Sequence, residues 1–363
     1  MSYTIPMGPY HPALEEPYKL DLICEDETVI DAKLHIGFNF RGIEHLAETR
    51  NHVQVIALME RVCGICSNVH TLTLCQTMEE ILDVTPPPRA LYIRVILAEL
   101  ERLHSHVLWA GVAGKLMGFK TMFMRCFALR EKVMDVLEAI SGNRVNYSMN
   151  RIGGVNRDIA DPGAILAMIE ALENEMVHTI VPVFTTSTTA LSRCAGIGVL
   201  TQEQAISYGV VGPTARASGV PQDIRRAAPY AAYSDFEFDV PVETGGDVRA
   251  RLLVRALEIM QSCRILRQAL SKLPDGPIFA EGSDESDIAF PTGTATSRVE
   301  APRGEVIYSV SWEEDSDNPS RVHVRTPTYA NMPAIRAMVI GAQLAETPLI
   351  QASIDPCYSC TDR

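Results

Sequence analysis

Glu60-Arg61-Val62-Cys63-Gly64-Ile65-Cys66, with His70 four residues on, and Asp355-Pro356-Cys357-Tyr358-Ser359-Cys360-Thr361-Asp362-Arg363 are the two stretches from which the rest of the chain reads. Each holds a Cys-x-x-Cys pair. Two intervening residues let both sulfurs face one point, so each pair is a two-thiolate claw. Brought together, the claws make a four-thiolate site that ties the last stretch to the first quarter of the sequence. Soft thiolates select zinc, nickel, copper(I) or iron–sulfur centres over hard cations. On spacing alone a redox pair, a structural four-cysteine zinc site and a catalytic metal all remain open. Nearly the whole chain lies between the pairs, unlike a zinc ribbon, and a chain this long has little need of a metal staple.

The composition narrows the class. A chain of 363 residues with 47% apolar and 21% charged content is globular and buries a large core unaided. The net charge of −13 and the lack of a basic run argue against a nucleic-acid partner. Nine cysteines, only four of them in pairs, suit a reducing compartment; Cys24, Cys75, Cys126, Cys194 and Cys263 read as small buried apolar residues. No signal peptide and no membrane-spanning run are expected, so any work at a membrane goes through partners.

Periodicity predicts a mainly α chain with small flanking β elements, an α+β bundle of long helices, folded as a single domain over 1–363. A β-rich part covers 1–43, with strands at Tyr18–Cys24 and Thr28–Ile36 and an extended loop at 8–12. A helical core covers 44–273. Its expected helices are His45–Glu60, Thr71–Leu82, Arg89–Leu116 opened by Pro88, Phe119–Ile140, one from Asp161-Pro162 to about Val181, a short one from Thr201, and Asp247–Leu273. Residues 209–241 read as irregular and 274–296 as loop. A small β part at 296–326 has strands Thr296–Val310 and Arg321–Arg325, joined by the acidic loop 313–317. The final part, 327–363, carries a helix at Met332–Ala345 and the metal-binding tail.

Arg-x-Cys-Gly-x-Cys-x-x-x-His near the front and Asp-Pro-Cys-x-x-Cys at the end together resemble the large subunit of [NiFe] hydrogenases, in that family's order. The resemblance covers essentially the full chain. It implies a Ni–Fe centre, its iron carrying CO and cyanide, held by four cysteinates: Cys63 and Cys357 as terminal nickel ligands, Cys66 and Cys360 as bridges. Arg298-Val299-Glu300-Ala301-Pro302-Arg303-Gly304 resembles the family's Glu-Ala-Pro-Arg-Gly motif, which implies Arg303 over the metal pair; read alone it is a turn with a surface arginine. Thr326-Pro327-Thr328 resembles the Pro-Ser/Thr segment, which implies a hydrogen bond from Thr328 to a cyanide; read alone, Thr328 is an N-cap. His70 is implied as a hydrogen-bond partner of a cysteine sulfur, and Asp355 and Pro327 as neighbours of the centre. Heterolytic H2 cleavage needs a base and a proton exit. The terminal thiolate Cys357 would serve first, then a carboxylate in His11-Pro12-Ala13-Leu14-Glu15-Glu16-Pro17, where alignment favours Glu15, with Glu16 beside it. Arg41-Gly42-Ile43-Glu44 matches a segment that in many members binds magnesium with a C-terminal histidine. Here that position is Arg363, so a Glu44–Arg363 salt bridge without magnesium is expected.

Other stretches resemble the complex I subunit that lines the quinone cavity: Gly8-Pro9-Tyr10-His11-Pro12-Ala13, Ser105-His106 within Glu101–Trp109, and Gly212–Gly219 with Asp223, Arg225 and Pro229-Tyr230. Complex I features together with all four cysteines resemble the energy-converting, membrane-bound hydrogenases of the Ech or CO-induced type. This implies reversible reduction of protons to H2. The implied partners are an iron–sulfur small subunit, ferredoxin-like electron-carrier subunits, integral membrane ion-pumping subunits and maturation proteins. The iron–sulfur clusters would lie in partners, and the chain would sit peripherally on the cytoplasmic face of the membrane. The alternatives are a non-catalytic complex I-like subunit with a structural zinc site and a redox scaffold whose cysteines pair as disulfides.

Overall fold

Alternating burial along Lys19–Glu25, with Leu20, Leu22 and Cys24 inward, makes it the centre of the first sheet in a computed structural model that describes residues 1–283, 288–314 and 316–363. Ser2–Met7 and Thr28–His35 flank it, both antiparallel. Ser2–Met7 was missed because its residues are mostly exposed and show no alternation. The edge strand Thr28–His35 also holds the returning C-terminal region: Val29 exchanges backbone hydrogen bonds with Gly341 and Ala342 at 2.8 and 2.9 Å.

The expected helix His45–Glu60 is two helices, Ile43–Ala47 and His52–Glu60. Asn51 divides them, because its side chain caps the second by accepting from Gln54 N. The helix Ser67–Leu82 starts directly after Cys66 and so presents the first cysteine pair at its N-terminus. Pro88 opens a 29-residue helix, Pro88–Leu116, about 44 Å long at 1.5 Å per residue. It packs against Lys120–Ser141 and Val248–Ser271 and is buried on most sides. Several of its inward residues are charged, which fits an element that supplies chemistry as well as core. Asp161 and Asp247 cap Pro162–Thr179 and Val248–Ser271, and Thr201 opens Gln202–Ser207 with a capping box.

Ion pairs lock these helices. Arg94 meets both oxygens of Glu79 at 2.9 and 2.6 Å, joining Pro88–Leu116 to the helix behind the first cysteine pair. Among the described residues no helix is long and apolar enough to cross a membrane.

The expected strand Thr296–Val310 is a hairpin, Gly293–Ala301 and Gly304–Trp312, with Pro302-Arg303 at its tip; Arg321–Arg325 pairs with the second arm. Proline and glycine flanking Arg303 force the reversal that the apolar pattern hid. Of the loops expected at 274–296 and 313–317, residues 284–287 and 315 lie outside the described residues. The last long helix begins earlier than expected, at Pro327, and ends at Val339; Thr347–Ser353 and Tyr358–Asp362 complete the chain.

The hairpin tip lies against Gly212. A Cβ there would come within 2.3 Å of the Arg303 carbonyl oxygen, and Gly212 has φ +69. Gly212→Ala should therefore cost about 1–3 kcal/mol through strain and overpacking. Denaturant melts would show this loss, whereas an unchanged midpoint would mean the tip is not seated as described.

Candidate metal centre

Two helix starts converge on one point. Cys63 and Cys66 precede Ser67–Leu82, and Cys357 is the N-cap of Tyr358–Asp362, which carries Cys360. The sulfurs form a chain: Cys63–Cys357 at 3.5 Å, Cys357–Cys360 at 3.2 Å and Cys360–Cys66 at 3.5 Å. All four cysteines are at most 4% exposed. Tetrahedral thiolate ligation with metal–sulfur bonds near 2.3 Å sets sulfurs about 3.8 Å apart, so small outward shifts would admit a metal. The thiolate donor set also suits nickel and iron.

Side chains around the sulfurs fix the two motifs to each other. Arg41 donates to the carbonyls of Arg61, Val62 and Ser359, clamping the two cysteine segments together. The backbone N–H of Cys357 donates to Thr328 Oγ1 at 3.1 Å, and the Thr328 hydroxyl hydrogen is free to point elsewhere. Thr328 is not the N-cap of its helix; Thr326 is. Pro327 opens that helix. His70 Nε2 lies 3.5 Å from Cys360 Sγ while Nδ1 meets Tyr308 Oη at 2.7 Å. Burial holds the imidazole near pKa 4, hence neutral.

Arg303 is buried, not on the surface. Nε and Nη2 donate to the Asp355 carbonyl and carboxylate at 2.7 and 2.8 Å, and Nη1 donates to Ser105 Oγ at 3.1 Å. Burial works against its charge, but Asp355 and the nearby cysteines hold the guanidinium protonated. Asp355 has φ 56, a left-handed conformation uncommon before proline. Its second oxygen is buried with no hydrogen-bond partner among the described residues.

The placement expected for Glu15 is found at Glu16. Glu15 is half-exposed and faces Lys115 at 3.5 Å. The Glu16 carboxylate accepts from the N–H groups of Tyr358 and Ser359, the two residues after Cys357. Burial, then the neighbouring Cys357, pushes its pKa up to about 7. Adjacent residues in this segment point to opposite sides, a difference that motif alignment does not carry. Both glutamates border a cavity of about 290 Å³ lined by Tyr18, Trp109, Phe123, Phe127, Arg303 and Asp355 among others. At the far edge, Arg363 Nε meets Glu44 Oε1 at 2.8 Å, so the two groups expected to pair do so.

Sequence reasoning missed Glu101. It projects from Pro88–Leu116 and accepts the N–H groups of Asn68 and Val69 at 2.6 and 3.0 Å, the first turn of the helix behind Cys66. Burial raises its pKa well above normal despite these bonds. A carboxyl in mid-helix has no local signature; only the fold brings it to another helix's open end.

The model of the 49 kDa subunit of respiratory-chain NADH dehydrogenase matches residues 117–286 and 284–363, and that of nickel-dependent hydrogenase matches 41–110. The chain is 40% identical to a carbon monoxide-induced hydrogenase of Rhodospirillum rubrum, covering 100% of this chain and 99% of that protein. It is 41% identical to a membrane-bound hydrogenase subunit alpha of Pyrococcus furiosus, covering 99% and 87%. A chain of an archaeal respiratory membrane complex, the membrane-bound sulfane sulfur reductase, superposes with TM-score 0.94 at 32% identity, covering 100% of this chain and 98% of that one.

Removing Glu101 orphans two helix donors, so Glu101→Ala should cost about 2–4 kcal/mol and lower metal content per folded chain. Glu101→Gln should restore part of both. Equal metal content in all three proteins would show that this carboxyl does not position the cysteine helix.

Proposed function

The chain belongs to the family that joins the large subunits of energy-converting, membrane-bound [NiFe] hydrogenases to the 49 kDa subunit of respiratory NADH dehydrogenase, and on that premise we propose that it is a catalytic hydrogenase subunit. It is an energy-converting hydrogenase-like subunit of a complex I-related type. The finer reading is that Cys63, Cys66, Cys357 and Cys360 would hold a Ni–Fe centre. The observation that carries it is the meeting of four buried sulfurs with an always-charged guanidinium and a carboxylate bonded beside Cys357. A zinc-stapled scaffold needs the four sulfurs and the bonds that fasten the tail, but has no use for a carboxyl shifted toward neutrality beside Cys357 or for a permanent positive charge behind the sulfurs.

When bound, the centre would supply heterolytic H2 chemistry, run reversibly. The chain's own groups would do the rest. Cys357 holds the first proton, and Glu16 passes it on toward the cavity; a carboxyl poised near neutrality exchanges protons in both directions. Arg303, fixed by Asp355 and Ser105, presents a positive charge that cannot be titrated away and favours anionic ligands. Thr328 would offer its hydroxyl hydrogen to a ligand of the bound centre, and neutral His70 would steady Cys360. Arg363 neutralises Glu44, so no magnesium is expected there. Electrons would come from ferredoxin through an iron–sulfur small subunit, the maturation proteins would load the centre, and membrane subunits at the cytoplasmic face would couple turnover to ion translocation.

Glu16→Gln keeps the shape but cannot accept a proton. It should lower H2 evolution by the isolated complex about 10²-fold or more, while Glu15→Gln stays close to wild type. The reverse ranking would restore Glu15 to the proton exit, and equal, undetectable activity in wild type and variants would remove the enzyme reading.

A further inference from the structure

Behind Arg303 lies a second set of buried charges with no part in the chemistry above. Arg225 is bidentate to Asp223, with Nε–Oδ1 at 3.0 Å and Nη2–Oδ2 at 2.7 Å. Arg102 and Arg225 both reach Glu99, which also accepts from Tyr233 and Ser262 at 2.6 Å each. Arg216 Nε donates to Glu258 Oε1 at 2.9 Å, and Glu258 Oε2 meets His106 Nε2 at 2.8 Å. The same Arg216 reaches Glu300 Oε1 through Nη1 at 2.8 Å and lies 3.6 Å from Asp223. The other Glu300 oxygen accepts from Ile224 N at 3.1 Å.

Among the described residues three arginines therefore contact four carboxylates, every one of them at most 2% exposed. Arg225 is matched by Asp223, Arg102 by Glu99 and Arg216 by Glu258. Glu300 is left to share Arg216. A further arginine, Arg255, stacks on Trp109 and sends Nη1 to the carbonyls of Ser353 and Arg251; the carboxylates that bear on its charge are Asp355 and Glu258. Tyr230 also borders the strand, its hydroxyl accepting from Glu300 N at 3.1 Å. An unmatched buried carboxylate is costly when charged, and a proton removes that cost.

We propose that Glu300 carries a proton in the folded chain and serves as a proton store for the metal centre. Glu300 lies three residues before Arg303 in the same hairpin, and Arg102 grips the Glu300 and Ala301 carbonyls, fixing the strand that leads to it. Through Arg216, Glu258 and His106 it also connects to the helix that presents Ser105 to Arg303. Burial, then Asp223, raises the Glu300 pKa to about 7, against the pull of Arg216, Arg102 and Arg225; Asp223 itself is held down to about 2, mainly by Arg225 and Arg216 against burial. Burial lowers the His106 pKa against the pull of Glu258. That the proton is present stands on the fold alone; its use in turnover rests on the nickel–iron reading.

A carboxyl raised from 4.5 to about 7 lends stability that is full below about 4.5 and lost as pH rises through about 7. The test is infrared difference spectroscopy of the purified complex, wild type against Glu300→Gln, across that pH range and with and without reduction by H2. The expected result is a protonated-carboxyl C=O band that Glu300→Gln removes, that fades as pH rises through neutrality, and that shifts or changes intensity on reduction. Melting temperature should also depend less on pH in the variant. If Glu300→Gln does not fold, Asp223→Asn removes the anion that raises Glu300 and should move the fading of the band to lower pH. An unaltered set of carboxyl bands in Glu300→Gln, or no acid shift in Asp223→Asn, overturns the store. A Glu300 band that ignores reduction in a sample that does show the metal-ligand bands overturns the link to turnover. A Glu300 band in a chain without nickel keeps the proton and rejects the hydrogenase reading instead.

Discussion

The fastening of the chain's last nine residues onto its first seventy is the constraint on which the site depends. Arg41 is its centre: one guanidinium takes carbonyls from both cysteine segments. Around it, Asn39 N donates to Asp362, Glu16 takes two tail N–H groups, and Tyr18 stacks on Tyr358 with ring centroids 4.2 Å apart. These contacts gather four sulfurs from distant parts of the sequence without calling on a metal to do so. These charge-assisted bonds, worth roughly twice a neutral one, supply that hold.

A second principle is the use of a buried helix as a source of polar groups. Pro88–Leu116 passes through the core yet carries Arg94, Glu99, Glu101, Arg102, Ser105 and His106, all buried. Ion pairs of this kind add little net stability over apolar packing but are costly to break from one side. Their worth here is positional. Arg94 anchors the helix behind the first cysteine pair, Glu101 caps it, Ser105 aims Arg303, and Arg102 holds the strand before it. The four-cysteine site and the charge cluster behind it are thus both tied to one buried helix.

Much of this was legible in the sequence, for local reasons. Helix starts at Pro88, Asp161, Thr201 and Asp247 follow from capping chemistry, which acts within four residues. The four cysteines, His70, Arg303, Thr328 and the Glu44–Arg363 pair were readable because short motifs fix spacing, and the structure brings them together. What was hidden depends on three-dimensional placement. Whether Glu15 or Glu16 faces the cysteines turns on one residue of chain direction. The hairpin around Arg303 looked like one strand because both arms are apolar. Glu101 and the three-arginine, four-carboxylate cluster draw on segments from residue 99 to residue 300, and no local pattern announces such a meeting.

The measurement that bears most directly on the central claim is an infrared spectrum of the anaerobically purified complex, made with its maturation proteins, with nickel, iron and zinc quantified on the same sample. The account predicts bands from metal-bound CO and cyanide with nickel near one per chain. Zinc in its place, with no such bands, would contradict it and leave the four thiolates as a staple between the two ends of the chain.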